Sequence, residues 1–247
     1  MIELAGLSKR YGKVMAVNGL DLSVGSGEIF GFIGPNGAGK TTTIRMMGGL
    51  VAPTAGTVRI NGIDMAKRPE EAKRHIGFIP DRPFLYDKLT GTEFLRFTAD
   101  LYRVPPELFP ERSEKLLRMF SLWQWADELI ESYSHGMKQR LIMCAAFLHD
   151  PAVIIVDEPM VGLDPRGIRL VKDILREQSE KGVTVFLSTH TLQVAQDLCH
   201  RIAVISRGNI IAQGSTSDLR TRSGASEEDL EAVFLRLTEE ESEPSAP

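Results

Sequence analysis

The segment Gly34-Pro35-Asn36-Gly37-Ala38-Gly39-Lys40-Thr41-Thr42 sets glycines, a lysine and hydroxyls in the order G-x-x-x-x-G-K-[ST]. Glycines let consecutive main-chain N–H groups turn inward and form a concave anion site. A helix starting just behind adds about half a positive charge at its N-terminus. Lys40 can reach the β- and γ-phosphates of a nucleoside triphosphate, and the Thr41 hydroxyl can ligate Mg²⁺. Gly34, Asn36, Gly37, Ala38, Gly39 and Thr42 complete the cradle. The competing view, a chance glycine-rich turn, would not need strand, glycines, lysine and threonine all in register. Alone, the loop indicates nucleoside triphosphate binding and nothing narrower.

Two further sites have matching chemistry. Val153-Ile154-Ile155-Val156-Asp157-Glu158 is an apolar run ending in two carboxylates. Ligands of doubly wound sheets bind at the carboxyl ends of strands. Asp157 is therefore placed to hold Mg²⁺, directly or through water. Glu158 points elsewhere and is available to polarise a water toward the γ-phosphate. The alternative is a solvated acidic pair before the next helix. Ser188-Thr189-His190 follows another apolar run, so His190 is expected at the same sheet edge, within reach of the γ-phosphate and Glu158. The third segment, Tyr133-Ser134-His135-Gly136-Met137-Lys138-Gln139-Arg140-Leu141, sets Ser134 and Gly136 before an amphipathic helix. That is a second anion-type helix start, or else an ordinary capped helix.

The elements that must position these groups can be read from periodicity. Ile29–Ile33 is a buried strand before the glycine loop, and Thr42–Met47 a helix after it. Ile2–Leu4, Leu20–Val24 and Thr57–Ile60 alternate as half-buried strands, and Ile76–Ile79 is a short one stopped by Pro80. Helical periodicity takes over from about Thr90 to His149, with helices at Thr92–Leu101 and Glu111–Phe120. After Pro151 come strand Val153–Val156, a helix from Pro165 to Glu180, strand Val183–Leu187 and a hairpin from Ile202–Ile205 and Asn209–Ala212. This alternation predicts an α/β fold: a mainly parallel sheet, an antiparallel β subdomain and a helical lobe. One domain is expected over 1–247. Its core comprises 1–89 and 151–225, its lobe 90–150. A helix over 226–238 and a disordered acidic tail over 239–247 follow.

Composition sets bounds. A chain of 247 residues, 43% hydrophobic and 25% charged, suits a globular protein. A net charge of −4 offers no general field toward nucleic acid or anionic lipid. Cys144 and Cys199 lie in apolar helical contexts and read as core thiols of a reducing compartment. The N-terminus lacks a secretory pattern, and Leu141–Leu148 is far short of a spanning helix. Any membrane role is expected to come through a partner.

With these motifs in hand, the chain resembles the ATP-binding subunit of ABC transporters over nearly its whole length. Ser134-His135-Gly136-Met137 stands where that family carries Ser-Gly-Gly-Gln. The resemblance implies a P-loop NTPase fold, ATP as ligand with Mg²⁺, and two ATPase subunits packed head to tail. Each ATP would then lie between one chain's glycine loop and the Ser134 and Gly136 of the other. It implies that Tyr11 stacks on adenine, that Val161-Gly162-Leu163-Asp164 is the dimer-contact loop bringing Asp164 to the site, and that His190 is the switch histidine. Asp81 stands where a loop links nucleotide to transmembrane partner, and would meet Mg²⁺ through water.

The chain departs from the family pattern at two places. Asp81 replaces a customary Gln, and His135 and Met137 replace Gly and Gln. The phrase Tyr-Ser-His-Gly-Met-Lys-Gln-Arg is similar to the branch paired with ABC-2 type export permeases. The expected function is ATP hydrolysis powering such an exporter from the cytoplasmic face of the membrane, with a second copy and permease subunits as partners and no nucleic acid. An importer subunit or a soluble ABC ATPase are the alternatives. Asp81, the variant signature and the expected lack of a regulatory C-terminal domain disfavour the first; the lack of coiled-coil insertions or a tandem cassette, and the neutral-to-acidic charge balance, disfavour the second.

Overall fold

A computed structural model describes residues 1–82 and 84–222, with side chains through Leu219. The expected helix 226–238 and the acidic tail lie outside the described residues. The N-terminal part forms an antiparallel sheet from β1 (Ile2–Tyr11), β2 (Val14–Val24), β4 (Ala55–Ile60) and β5 (Ile63–Asp64), in the order β2-β1-β4-β5. The second sheet runs β10-β9-β3-β8-β7-β6. Its strands are β3 (Ile29–Ile33), β6 (Ile76–Ile79), β7 (Val153–Asp157), β8 (Thr184–Thr189), β9 (Arg201–Ser206) and β10 (Asn209–Gly214). All pairings are parallel except the β9–β10 hairpin.

The period of two in the central strands divides the core. Along β7, Val153 and Ile155 face the side covered by helix α1 (Lys40–Met47) and the antiparallel sheet, where Phe30, Phe32, Phe186, Ile44, Met46 and Met47 pack. Ile154 and Val156 face the opposite side with Val185 and Leu187. The rings of Phe30 and Phe32 lie 5.8 and 5.3 Å from that of Phe186. Full burial of each such side chain contributes about 1.5–3 kcal/mol.

The other side is covered by the helical lobe and by α6. After α2 (Pro69–Arg74), the lobe comprises α3 (Gly91–Tyr102), α4 (Phe109–Met119), short 3₁₀ turns and α5 (His135–Phe147). Thr90 and Glu93 form a capping box that starts α3. Asp164 caps α6 (Pro165–Glu180), which opens on proline and buries Val171, Ile174 and Leu175 at helical spacing. Helices α7 (Leu192–Leu198) and α8 (Thr216–Arg222) flank the far hairpin.

Strand β1 differs from expectation. It continues past Leu4 to Tyr11, because register shifts after Leu4, Leu7 and Lys9 break the alternation that marks a strand in sequence. Tyr11 therefore ends a strand, opposite Val14.

Candidate nucleotide site

Parallel pairing fixes the site. Ile33 lies beside Thr189, Asp157 beside Ser188, and Ile79 beside Val156. The chain therefore leaves four neighbouring strands at one edge, delivering Gly34, Asp81, Glu158 and His190 together. One cleft is lined by Ala16, Asn36, Gly37, Gly39, Lys40, Thr41, Thr42, Asp81, Asp157, Glu158 and His190.

The glycine loop has the backbone that the motif demands. Gly37 and Gly39 adopt φ of +79° and +112°. Space around Gly37 is open, whereas a Cβ on Gly39 would come 2.5 Å from the Ala16 carbonyl oxygen. Lys40 Nζ donates to the carbonyls of Gly34 at 2.6 Å and Pro35 at 3.1 Å, spanning the loop. Burial pulls the Lys40 pKa below the ordinary value, against the charges of Glu158 and Asp157.

The two carboxylates have different surroundings. Thr41 Oγ1 donates to Asp157 Oδ2 at 3.1 Å, which sets two hard oxygen ligands side by side. Burial raises the pKa of Asp157; the Ser188 and Thr41 hydroxyls lower it, and the charges of Asp81 and Glu158 raise it further. Among the described residues, no three or more His, Cys, Asp or Glu side chains converge into a metal cage. Mg²⁺ suits such a site, since it commonly binds one or two carboxylates and completes its shell with phosphate oxygens and water.

Glu158 is turned away by a left-handed backbone, φ +50°. Its Oε1 accepts from the main-chain N–H of His190 at 3.0 Å and from Nδ1 at 2.7 Å, and its Oε2 accepts from Thr189 Oγ1 at 3.1 Å. A carboxylate has about four lone-pair positions, so about one is left for a water. Because Nδ1 donates to the carboxylate, it carries the proton of a neutral His190 ring.

Ser134, Gly136, Asp164 and Tyr11 lie outside the lining of this cleft. Ser134 Oγ caps α5, accepting from Met137 N at 3.3 Å, and the Asp164 carboxylate accepts from Gly167 N at 2.9 Å. Tyr11 is half exposed, with Lys9 Nζ 5.1 Å from its ring centre. Ala16 and Thr189 are site residues that motif reading does not single out. Each occupies a strand position ordinary in sequence: Ala16 lines the cleft from β2, and Thr189 reaches it through its hydrogen bond to Glu158.

Residues 17–161 match the family description "ABC transporter". A daunorubicin/doxorubicin resistance ATP-binding protein of Streptomyces peucetius is 39% identical over 245 residues, 99% of this chain and 73% of that protein. A solved ATP-binding subunit of an ABC transporter is 35% identical with a TM-score of 0.91, covering 96% of this chain and 99% of that one. A dimeric ATP-binding cassette bound to ADP and Pi is 27% identical with a TM-score of 0.77, covering 87% and 98%. Cleft, sheet and lobe are thus accounted for together: the chain belongs to the ABC transporter family, as an ATP-hydrolysing subunit.

Proposed function

We propose that two copies of this chain pack head to tail around two ATP molecules and drive an ABC-2 type export permease from the cytoplasmic face of the membrane. The observation that carries this reading is the separation of two phosphate-binding elements. The Asn36–Thr42 loop lies in the cleft, while the exposed Ser134 start of α5 lies outside its lining. A second copy supplies the missing half. The dimeric relative bound to ADP and Pi supports that arrangement, and the drug-resistance relative supports export.

Each residue then has a role. Lys40 neutralises the β- and γ-phosphates, the N–H groups from Gly34 to Thr42 cradle them, and Tyr11 stacks on adenine. Thr41 and Asp157 hold Mg²⁺, with Asp81 reaching through water. When bound there, the ion neutralises charge on the phosphate oxygens. Glu158 polarises a water toward the γ-phosphate, and His190 fixes the Glu158 carboxylate through Nδ1. Ser134 and Gly136 present the α5 start to the partner's γ-phosphate, and Asp164 closes the contact loop.

Glu158→Gln tests the core of this. The variant keeps the size of the side chain and should bind ATP, form a dimer with it on gel filtration and hydrolyse it about 10²–10⁴-fold more slowly. Turnover near the wild-type rate would remove Glu158 from the role.

A further inference from the structure

His135 is the first residue of α5, exposed beside Ser134. Across from it runs the loop 161–164. A Cβ built on Gly162 would lie 2.1 Å from His135 Cδ2 and 2.6 Å from Nε2. The edge of the imidazole thus occupies the volume that any other residue type would fill at 162, and Gly162 itself has φ +78°. The next residue closes the fit: a Cβ on Gly136 would be 3.4 Å from the Gly162 carbonyl oxygen and 3.6 Å from Leu163 Cδ2. The loop is held at both ends. Val161 N donates to the Glu158 carbonyl at 3.2 Å, Leu163 N to that of Met160 at 3.3 Å, and Asp164 caps α6. Met137, Met160 and Leu163 pack on the same core cluster.

We propose that His135 is a positioning residue. Seated on Gly162, it ties the Ser134 helix start to the loop that follows Glu158, so that a nucleotide engaged at Ser134 and Gly136 is felt at the carboxylate serving the protomer's own ATP. This rests on the head-to-tail reading above. The physical basis is contact density. A residue without a side chain at 135 would leave Gly162 facing a gap, and a gap of even 1 Å forfeits much of the dispersion contact across it. With His135 in place, helix start and loop cannot shift independently without overlap. The two nucleotide sites are then coupled through this contact, because a shift of the helix start on engaging nucleotide carries the loop with it.

The test uses the full chain in solution. Initial rates against ATP concentration should be sigmoidal for the wild type, with a Hill coefficient between one and about two, the number of sites. His135→Ala should bring it to near one. Because His135 is exposed, the variant's melting temperature should fall only slightly, and its binding of a fluorescent ATP analogue as a monomer should not change, which separates positioning from folding. Gly162→Ala gives the second measurement. It should lower the rate about tenfold or more in the wild type and within about threefold in the His135→Ala background, because the collision is gone and only the backbone strain remains. Equal losses in both backgrounds, or a Hill coefficient unchanged by His135→Ala, would overturn the proposal while the dimer stands. Failure of the Glu158→Gln chain to dimerise with ATP would remove the head-to-tail reading itself, and this coupling with it.

Discussion

Glu158 holds a backbone conformation that costs a side-chain-bearing residue about 1–2 kcal/mol, and the strain aims its carboxylate away from Asp157. Adjacent in sequence, the two acids reach different partners: Thr41 for Asp157, His190 and Thr189 for Glu158. Both were legible in sequence because an apolar run stops at them. The Thr189 contact was not, since a threonine in a strand reads only as a β-former, and register alone brings its hydroxyl to Glu158. Asp81 is the residue whose chemistry departs most from the family pattern. It is exposed in the cleft, and its charge raises the Asp157 pKa, so it adds negative potential where phosphates must enter. That potential repels a triphosphate unless a cation lies between. Asp81→Asn removes the charge at constant size. It should raise ATP affinity measured in EDTA and weaken the apparent affinity for Mg²⁺. Equal metal-free affinities of wild type and variant would show that the carboxylate does not sense the phosphates.

Elements with a long, clean period were read to within a few residues. The helix from Pro165 to Glu180 carries its own stop signal in Gly182, while the four-residue strand Ile76–Ile79 was legible because Pro80 ends it. Strand β5, with two residues, and helices α2 and α7, with six and seven, are too short to show a period, and they form because the sheets hold their ends. Sequence also hides how the segment after β6 is fastened to the start of α5. Ile130 N donates to the Leu89 carbonyl at 2.9 Å and Glu131 N to that of Asp87 at 3.0 Å, while Lys138 Nζ meets Asp87 Oδ1 at 2.8 Å. Asp87 is more than half exposed, so this pair adds at most about 1 kcal/mol to stability. On the proposed function, the pair would instead link the Phe84–Asp87 segment to the Ser134 helix start. Lys138→Ala should hardly move the melting temperature yet should lower the stimulation of ATP hydrolysis by a reconstituted permease. The exchange Lys138→Asp with Asp87→Lys should restore that stimulation. Absence of rescue would mean the pair is only a surface contact.

On the scale of the molecule, lobe and core are joined at a half-buried histidine. His149 stacks on Tyr102 at 3.8 Å between ring centres, and its Nε2 donates to the Ile76 carbonyl at 3.0 Å. Burial pushes its pKa from the ordinary 6.5 to about 4, against the Ile76 hydrogen bond, which favours the charged ring. With the folded value depressed, the unfolded chain takes up the proton first. The stability this group allows is therefore whole above about pH 6.5 and is lost as pH falls toward 4. The loss is at most about 3 kcal/mol, and less where water screens the ring. His149→Gln should flatten the fall of the unfolding midpoint between pH 7 and 4.5; an unchanged slope would place the acid sensitivity elsewhere. Among the described residues no helix is long and apolar enough to cross a membrane. The proposed coupling to a permease would use a docking surface, for which the exposed residues after Pro80 are the candidate. Tyr86 is committed to the lobe, edge-on to Phe97 at 5.5 Å and 6.5 Å from Phe94. Phe84 is 88% exposed and shares none of these ring contacts. On the proposed function, Phe84 is the candidate anchor for a permease helix and Tyr86 its support. Full burial of one phenylalanine is worth about 1.5–3 kcal/mol, or roughly 10–100-fold in affinity. Phe84→Ala should therefore leave the fold and the ATPase activity of the isolated subunit intact while abolishing co-purification with the permease. Co-purification at the wild-type level would mean that the ring is surface and the docking contact lies elsewhere.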